Sequence, residues 1–137
     1  FGRHGGTIVT LAPRARDIRF VSTFAYARLV GYDEGLRLGP DILARVDNDG
    51  DRIFTLHLRP GHRWSDGHPF TAEDFRYFWE DVALNRDLSP AGPPDFLMAE
   101  GRPPRFEVLD ERTVRFSWDA PNPRLLPTLA GPRDPYI

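Results

Sequence analysis

Apolar residues fall at the helical interval most clearly between Ala72 and Asn85. Phe75, Phe78, Trp79 and Val82 occupy i, i+3, i+4 and i+7 there, while Arg76, Glu80 and Asp81 lie off that stripe. The pattern predicts an amphipathic helix opened by Thr71. A hydroxyl at the cap position, with Glu73 and Asp74 in the first turn, suits the exposed amide N–H groups and the positive end of the helix dipole. On either side of this segment the period changes to two. Residues 43–46 and 52–58 read as strands around Asp47-Asn48-Asp49-Gly50-Asp51, with Phe54, Leu56 and Leu58 on one face. Pairing Val46 with Phe54 and Ala44 with Leu56 leaves Asp49-Gly50-Asp51 as a three-residue loop, Gly50 being able to take a left-handed conformation. The segment from Arg105 to Trp118 folds back in the same way. Val108 opposite Val114 and Phe106 opposite Phe116 sets Glu107 against Arg115 and leaves Asp110-Glu111-Arg112 as the loop. A slip of one residue would turn every inward side chain to solvent.

The remaining stretches carry weaker signals. Gly5-Gly6 releases a β-branched run, Thr7–Leu11, which reads as a short strand ended by Pro13. From Ile18 to Val30 the residues Phe20, Val21, Phe24 and Leu29 fit a helix, with Gly31 as its C-terminal glycine. Gly35, Gly39 and Pro40 mark a connection, and Ile42 and Leu43 are expected in the core. Leu88 to Pro104 holds five of the 14 prolines and reads as a long loop, the kind that is functional or mobile. The fold class is therefore α+β: antiparallel hairpins with one amphipathic helix packed on them.

Composition narrows the function classes. The chain has 137 residues, one domain's worth, with 40% hydrophobic, 28% charged and a net charge of −2. All 18 basic residues are Arg, scattered among 20 acids, whereas a nucleic-acid footprint would cluster. Without Cys there is no disulfide, thiolate nucleophile or thiolate metal site, so neither periplasm nor cytoplasm is excluded. No apolar run approaches the ~20 residues of a membrane span. The chain opens Phe1-Gly2-Arg3 and stops at Asp134-Pro135-Tyr136-Ile137, which reads as a piece of something longer.

Candidate chemistry is sparse. His57, His62 and His68 are five and six residues apart, but a zinc site brings a defined spacing and a further ligand. Asp47, Asp49 and Asp51 alternate like the start of a calcium loop, yet the sixth and twelfth positions are Arg52 and Leu58 in place of Gly and Glu. Ser65 and Asp66 near His62 and His68 form neither a nucleophile elbow nor an oriented base. Glu73 and Asp74 diverge by about 100° on a helix, so capping explains them better than acid-base work. Trp64, Phe70, Phe75, Phe78 and Trp79 could stack a ligand, though aromatics at helical spacing more often build a core. Neither a catalytic centre nor a metal or cofactor site is expected.

The run from Phe54 to Phe75, FTLHLRPGHRWSDGHPFTAEDF, resembles the signature of the peptide- and nickel-binding family of extracellular solute-binding proteins, the receptor components of ABC importers. Gly5-Gly6-Thr7, Leu29-Val30-Gly31-Tyr32, Pro40-Asp41-Ile42-Leu43-Ala44, Thr113-Val114-Arg115-Phe116 and Ala120-Pro121-Asn122-Pro123 extend the likeness nearly end to end. The resemblance implies a periplasmic or lipid-anchored receptor of two lobes that close over an extended peptide, this chain being its N-terminal part. Residues 1–12 would be the first strand of the main lobe and residues 13–137 the small extra domain. It implies Pro60-Gly61 and Asp66-Gly67 as turns, Trp64 and Phe70 as core, and the loop bearing Phe96, Leu97 and Met98 as the part turned toward ligand. Those three residues are the candidate ligand contacts; the same residues could equally be the loop's anchor onto the core. The implied partners are an oligopeptide or dipeptide and, through the whole protein, the importer permease. Nickel chelate, haem or oligosaccharide is the alternative solute within the family. Outside it stand a hydrolase built on the same hairpin-helix unit and an interaction domain docking through exposed aromatics.

Overall fold

The computed structural model describes Thr7, Val9, Arg14 and residues 27–131. Its centre is a four-stranded antiparallel sheet in the order β3-β4-β6-β5, with β3 Leu43–Asp49, β4 Ile53–Leu58, β5 Arg105–Asp110 and β6 Thr113–Ser117. The alternation in β4 places Phe54, Leu56 and Leu58 on one face, and β6 matches it with Val114 and Phe116, all five nearly inaccessible. Phe54 stands opposite Phe116 and Leu56 opposite Val114, so the centre of the sheet is an apolar cross-strand ladder. The other face is polar. One row across it reads Asp47, Thr55, Arg115 and Glu107.

Onto the apolar face packs α1, Ala72–Tyr77, continued by a π-helical turn, Phe78–Ala83. Thr71 caps it with a complete capping box: the Glu73 N–H donates to Thr71 Oγ1, and the Thr71 N–H donates to Asp74 Oδ2 at 2.7 Å. The expected helix is thus present and correctly started, but its second half is wider than an α-helix. The Leu84 N–H reaches back five residues to the Trp79 carbonyl at 3.0 Å. Ala72, Phe75, Trp79 and Ala83 are buried along the two segments, and Phe78 and Val82 are only half-buried. Trp79 stands edge-on to Phe116, and Phe116 stacks on Trp118, continuing the core toward the last helix among the described residues, α2, Leu125–Leu129.

Both hairpins form. In the second, Val108↔Val114, Phe106↔Phe116 and Glu107↔Arg115 pair as expected. A bulge at Leu109 then pairs Asp110 with Thr113, so the loop is Glu111-Arg112 and not three residues. In the first, Val46 pairs with Leu56 and Asn48 with Phe54, two residues from the expected register. A slide of two keeps every side chain on its face, so the apolar pattern could not separate the two registers. The turn separates them: Gly50 and Asp51 both have positive φ (58° and 55°), and Asn48 both accepts from the Asp51 N–H and donates to Asp51 Oδ1. The loop is Gly50-Asp51-Arg52, and Ala44 sits in a bulge without a partner on β4.

The expected helix from Ile18 to Val30 lies outside the described residues up to residue 26, and its end is corrected. Val30 opens β1, Val30–Tyr32, which pairs with β2, Leu38–Pro40, so Gly31 faces Gly39 across a small hairpin and caps no helix. Asp33 closes that hairpin by accepting from the Gly35 and Arg37 N–H groups. Leu43 is fully buried and Ile42 packs on the core, as the sequence indicates. The expected strand Thr7–Leu11 lies outside the described residues apart from Thr7 and Val9, both exposed.

Candidate functional site

The candidate ligand contacts sit on a single 3₁₀ turn, Asp95–Leu97, entered through Pro94. Pro94 fixes the entry angle and offers its carbonyl to the Leu97 N–H at 2.9 Å, and the Met98 N–H donates to Asp95 at 3.1 Å. Ala99 and Arg102 then exchange both main-chain hydrogen bonds across a tight reversal, with Glu100 and Gly101 at positive φ. The long Pro-rich segment is therefore ordered at this end. Leu97 is fully buried, and Phe96 and Met98 are half-buried, Phe96 resting against the core. Of the three, Leu97 anchors the loop and the other two retain accessible surface.

Three successive carbonyls of this turn are taken by side chains that follow β6. Trp118 Nε1 donates to Leu97 at 2.8 Å, Asn122 Nδ2 to Phe96 at 2.9 Å and Arg124 Nη2 to Asp95 at 3.3 Å. Asn122 is almost inaccessible, and its own N–H donates to the Asp51 carbonyl at 2.6 Å. It thus joins the turn of the first hairpin to the loop. Pro121 and Pro123 on either side hold its backbone extended or turned and supply no competing donors. Beside the loop, Arg102, Arg105, Trp118 and Asp119 line a cleft of about 320 Å³, in which Arg105 bridges Asp119 at 2.9 Å.

The aromatic set divides in two. Phe70, Phe75 and Trp79 are core. Trp64, expected in the core from the family resemblance, is 49% exposed. Its indole Nε1 donates to Asp74 Oδ1 at 3.0 Å, and its ring stands edge-on to Phe70 at 5.0 Å, so a polar tie to the helix cap holds it at the rim. With Tyr77, Phe78 and Glu73 it borders an open groove of about 430 Å³.

The remaining chemical candidates are held apart. His57 Nε2 lies 2.9 Å from Asp47 Oδ2 on the polar sheet face, His68 lies beside Asp66 in an exposed turn, and His62 is edge-on to Phe70. Among the described residues no three His, Asp or Glu side chains converge to hold a metal ion. Asp51 is engaged by Asn48, and Asp47 by Arg45 and His57, so the alternating aspartates do not share a centre. The His57 hydrogen bond, with Arg45 beside it, holds the Asp47 carboxyl below its usual range. The Arg112 N–H and the Thr113 hydroxyl do the same for Asp110, and Arg76 for Glu73. Ser65 is exposed and Asp66 accepts from the His68 N–H. Each perturbed group has a structural partner that accounts for it. Sequence reasoning missed Trp118, Asn122 and Arg124 as partners of the loop. Their spacing follows no regular period, and the segment was marked only by the family likeness of Ala120-Pro121-Asn122-Pro123.

Comparison with known proteins gives this geometry its context. Residues 37–137 match the family described as bacterial extracellular solute-binding proteins, family 5 Middle. The periplasmic alpha-galactoside-binding protein of Rhizobium meliloti (strain 1021) is 35% identical over 80 residues, covering 56% of this chain and 11% of the relative. The periplasmic oligopeptide-binding protein OppA of Escherichia coli (strain K12) is 30% identical over 107 residues, covering 68% of this chain and 19% of the relative. A solved oligopeptide-binding protein OppA superposes with a TM-score of 0.65 at 29% identity, over 78% of this chain and 17% of that structure. The chain thus spans less than a fifth of the length of each, and the first two of these relatives are named as periplasmic proteins. With a polar-backed hairpin sheet, a capped helix and a match over residues 37–137, the chain belongs to family 5 of the bacterial extracellular solute-binding proteins.

Proposed function

We propose that this chain is part of the receptor of an ABC importer that captures oligopeptides in the periplasm, residues 13–137 forming its small extra domain and residues 1–12 the first strand of its main lobe. The observation that carries the reading is the likeness to oligopeptide-binding proteins in both sequence and backbone, over two thirds or more of the chain. Its proposed work is binding, as the description of the matched family as solute-binding proteins suggests. Capture proceeds by closure of two lobes, so the free energy comes from burying solute between them and shifting the open-closed population. Phe96 and Met98 offer apolar surface toward the solute, and Leu97 seats them. A permease partner follows from the same role.

Native mass spectrometry of the full-length protein, purified without refolding, tests the reading. Copurifying short peptides would support it. A copurifying oligosaccharide would favour the second reading, which the alpha-galactoside-binding relative motivates. Turnover of the bound solute would sink both.

A further inference from the structure

We infer that Trp118, Asn122 and Arg124 are positioning residues for solute recognition: they fix the Asp95–Leu97 turn by occupying its carbonyls and so set where Phe96 and Met98 stand, without touching solute themselves. The inference rests on the proposed reading that this loop faces the solute.

The turn is weak on its own. A single 3₁₀ turn closes few hydrogen bonds of its own and leaves its carbonyls facing outward. Here the carbonyls of Asp95, Phe96 and Leu97 are each met by a side-chain donor from one short segment, residues 118–124. The segment is itself fixed. The Trp118 N–H donates to the Arg52 carbonyl and the Asn122 N–H to that of Asp51, while the Trp118 ring packs against Phe54 and Phe116 in the core. The turn is thereby registered against the rigid sheet through three bonds that a loop of this length would otherwise lack. Asn122, like Trp118, is buried and joins both sides, and its side chain can be cut back without removing a core ring. Removing its amide leaves the Phe96 carbonyl without its side-chain donor and removes one of the two buried ties between the loop and the first hairpin. Positional errors of an ångström at a contact residue are enough to cost recognition.

The test uses the full-length protein. Hydrogen exchange at the Leu97, Met98 and Ala99 amides reads loop order without any ligand, and calorimetric titration with trialanine, or with raffinose if the peptide does not bind, reads recognition. Asn122→Ala should speed exchange at those amides tenfold or more and weaken solute binding at least tenfold, with exchange in β4 unchanged. Asn122→Asp supplies a readout that mere packing would not move. Its carboxylate cannot donate to Phe96, but the protonated acid can, so loop protection and affinity relative to wild type should recover as the pH falls toward the pKa of that carboxyl, which burial raises above the usual ~4. Unchanged exchange in Asn122→Ala would overturn the inference outright. Faster exchange with unchanged affinity would overturn its recognition part while Phe96→Ala and Met98→Ala still weaken binding. If those two variants also bind normally, the solute-facing reading of the loop fails instead.

Discussion

Asp74 stands between Trp64 and Thr71 and bonds to both. Its Oδ1 accepts from the Trp64 indole at 3.0 Å and its Oδ2 from the Thr71 N–H at 2.7 Å. One carboxylate therefore closes the capping box and fixes the aromatic rim of the turn that precedes the helix. This explains how a tryptophan half open to solvent is nevertheless held at a definite angle to Phe70.

The consequence is a non-additive pair. Thr71→Ala should destabilise the protein by about 1 kcal/mol, the usual worth of an N-cap. Asp74→Ala should cost about the same or somewhat more, because it also frees the indole. The double variant should lose less than the sum, since the Asp74 carboxylate already depends on the box that Thr71 completes. Urea unfolding of the four proteins measures this, and strict additivity would show that cap and rim are independent.

Leu97 and its neighbours should separate stability from binding. Leu97 is fully inaccessible, so Leu97→Ala leaves a cavity and should cost about 2–5 kcal/mol. Phe96 and Met98, half-buried on either side, should cost clearly less in stability when cut to Ala, and their loss should appear in solute affinity. Parallel unfolding and titration of the full-length variants check the split. A Leu97 variant as stable as wild type would contradict its place in the core.

The acid dependence of stability follows from Asp47. The His57 hydrogen bond first, and Arg45 with it, lower the carboxyl pKa in the folded chain below the ~4 of an unfolded aspartate. A depressed folded pKa contributes stability that is complete above about pH 5 and is lost as pH falls through 4 toward the lower folded value. Asp47→Asn should therefore separate from wild type at pH 6 and converge with it near pH 2. Unfolding midpoints across that range give the comparison, and a gap that stays constant with pH would rule out the carboxylate as its source.

How far the sequence was legible depended on which physical signal each element carries. The β5–β6 pairs could be read because charge and apolar matching agreed on one register, Glu107 against Arg115 beside Phe106 against Phe116. The β3–β4 register could not, because registers two residues apart share the same faces and only the Asn48–Asp51 contacts choose between them. The β1–β2 hairpin was invisible for a simpler reason. Strands of three residues containing Gly31, Gly39 and Pro40 offer no alternation to detect. Ala83 and not Val82 follows Trp79 inward; both lie at a helical interval from Trp79, so choosing the more apolar valine over the alanine misled the reading. At the candidate site, Phe96, Leu97 and Met98 could be recognised together as an apolar island among prolines, but not which of the three is the buried anchor. The carbonyl-to-side-chain bonds from Trp118 and Asn122 could not, since contacts between residues 21 and 26 apart depend on the finished sheet.

Leu36 offers a stabilising change that the contacts alone would not suggest. It sits at the tip of the β1–β2 hairpin with φ of 59°, a region where an L side chain costs roughly 1 kcal/mol against its following carbonyl. The conformation is imposed by Asp33, whose carbonyl accepts from the Leu36 N–H while its carboxylate holds Gly35 and Arg37. At 81% exposure the side chain gains almost nothing from burial to offset that cost. Leu36→Gly should therefore raise stability by up to about 1 kcal/mol, the relief of strain being only partly cancelled by the greater freedom of glycine in the unfolded chain. Leu36→Asn should gain less but in the same direction, because asparagine tolerates the left-handed region. Thermal unfolding of both variants decides the matter. A loss of stability in the glycine variant would mean that the leucine side chain makes a compensating contact at the hairpin tip.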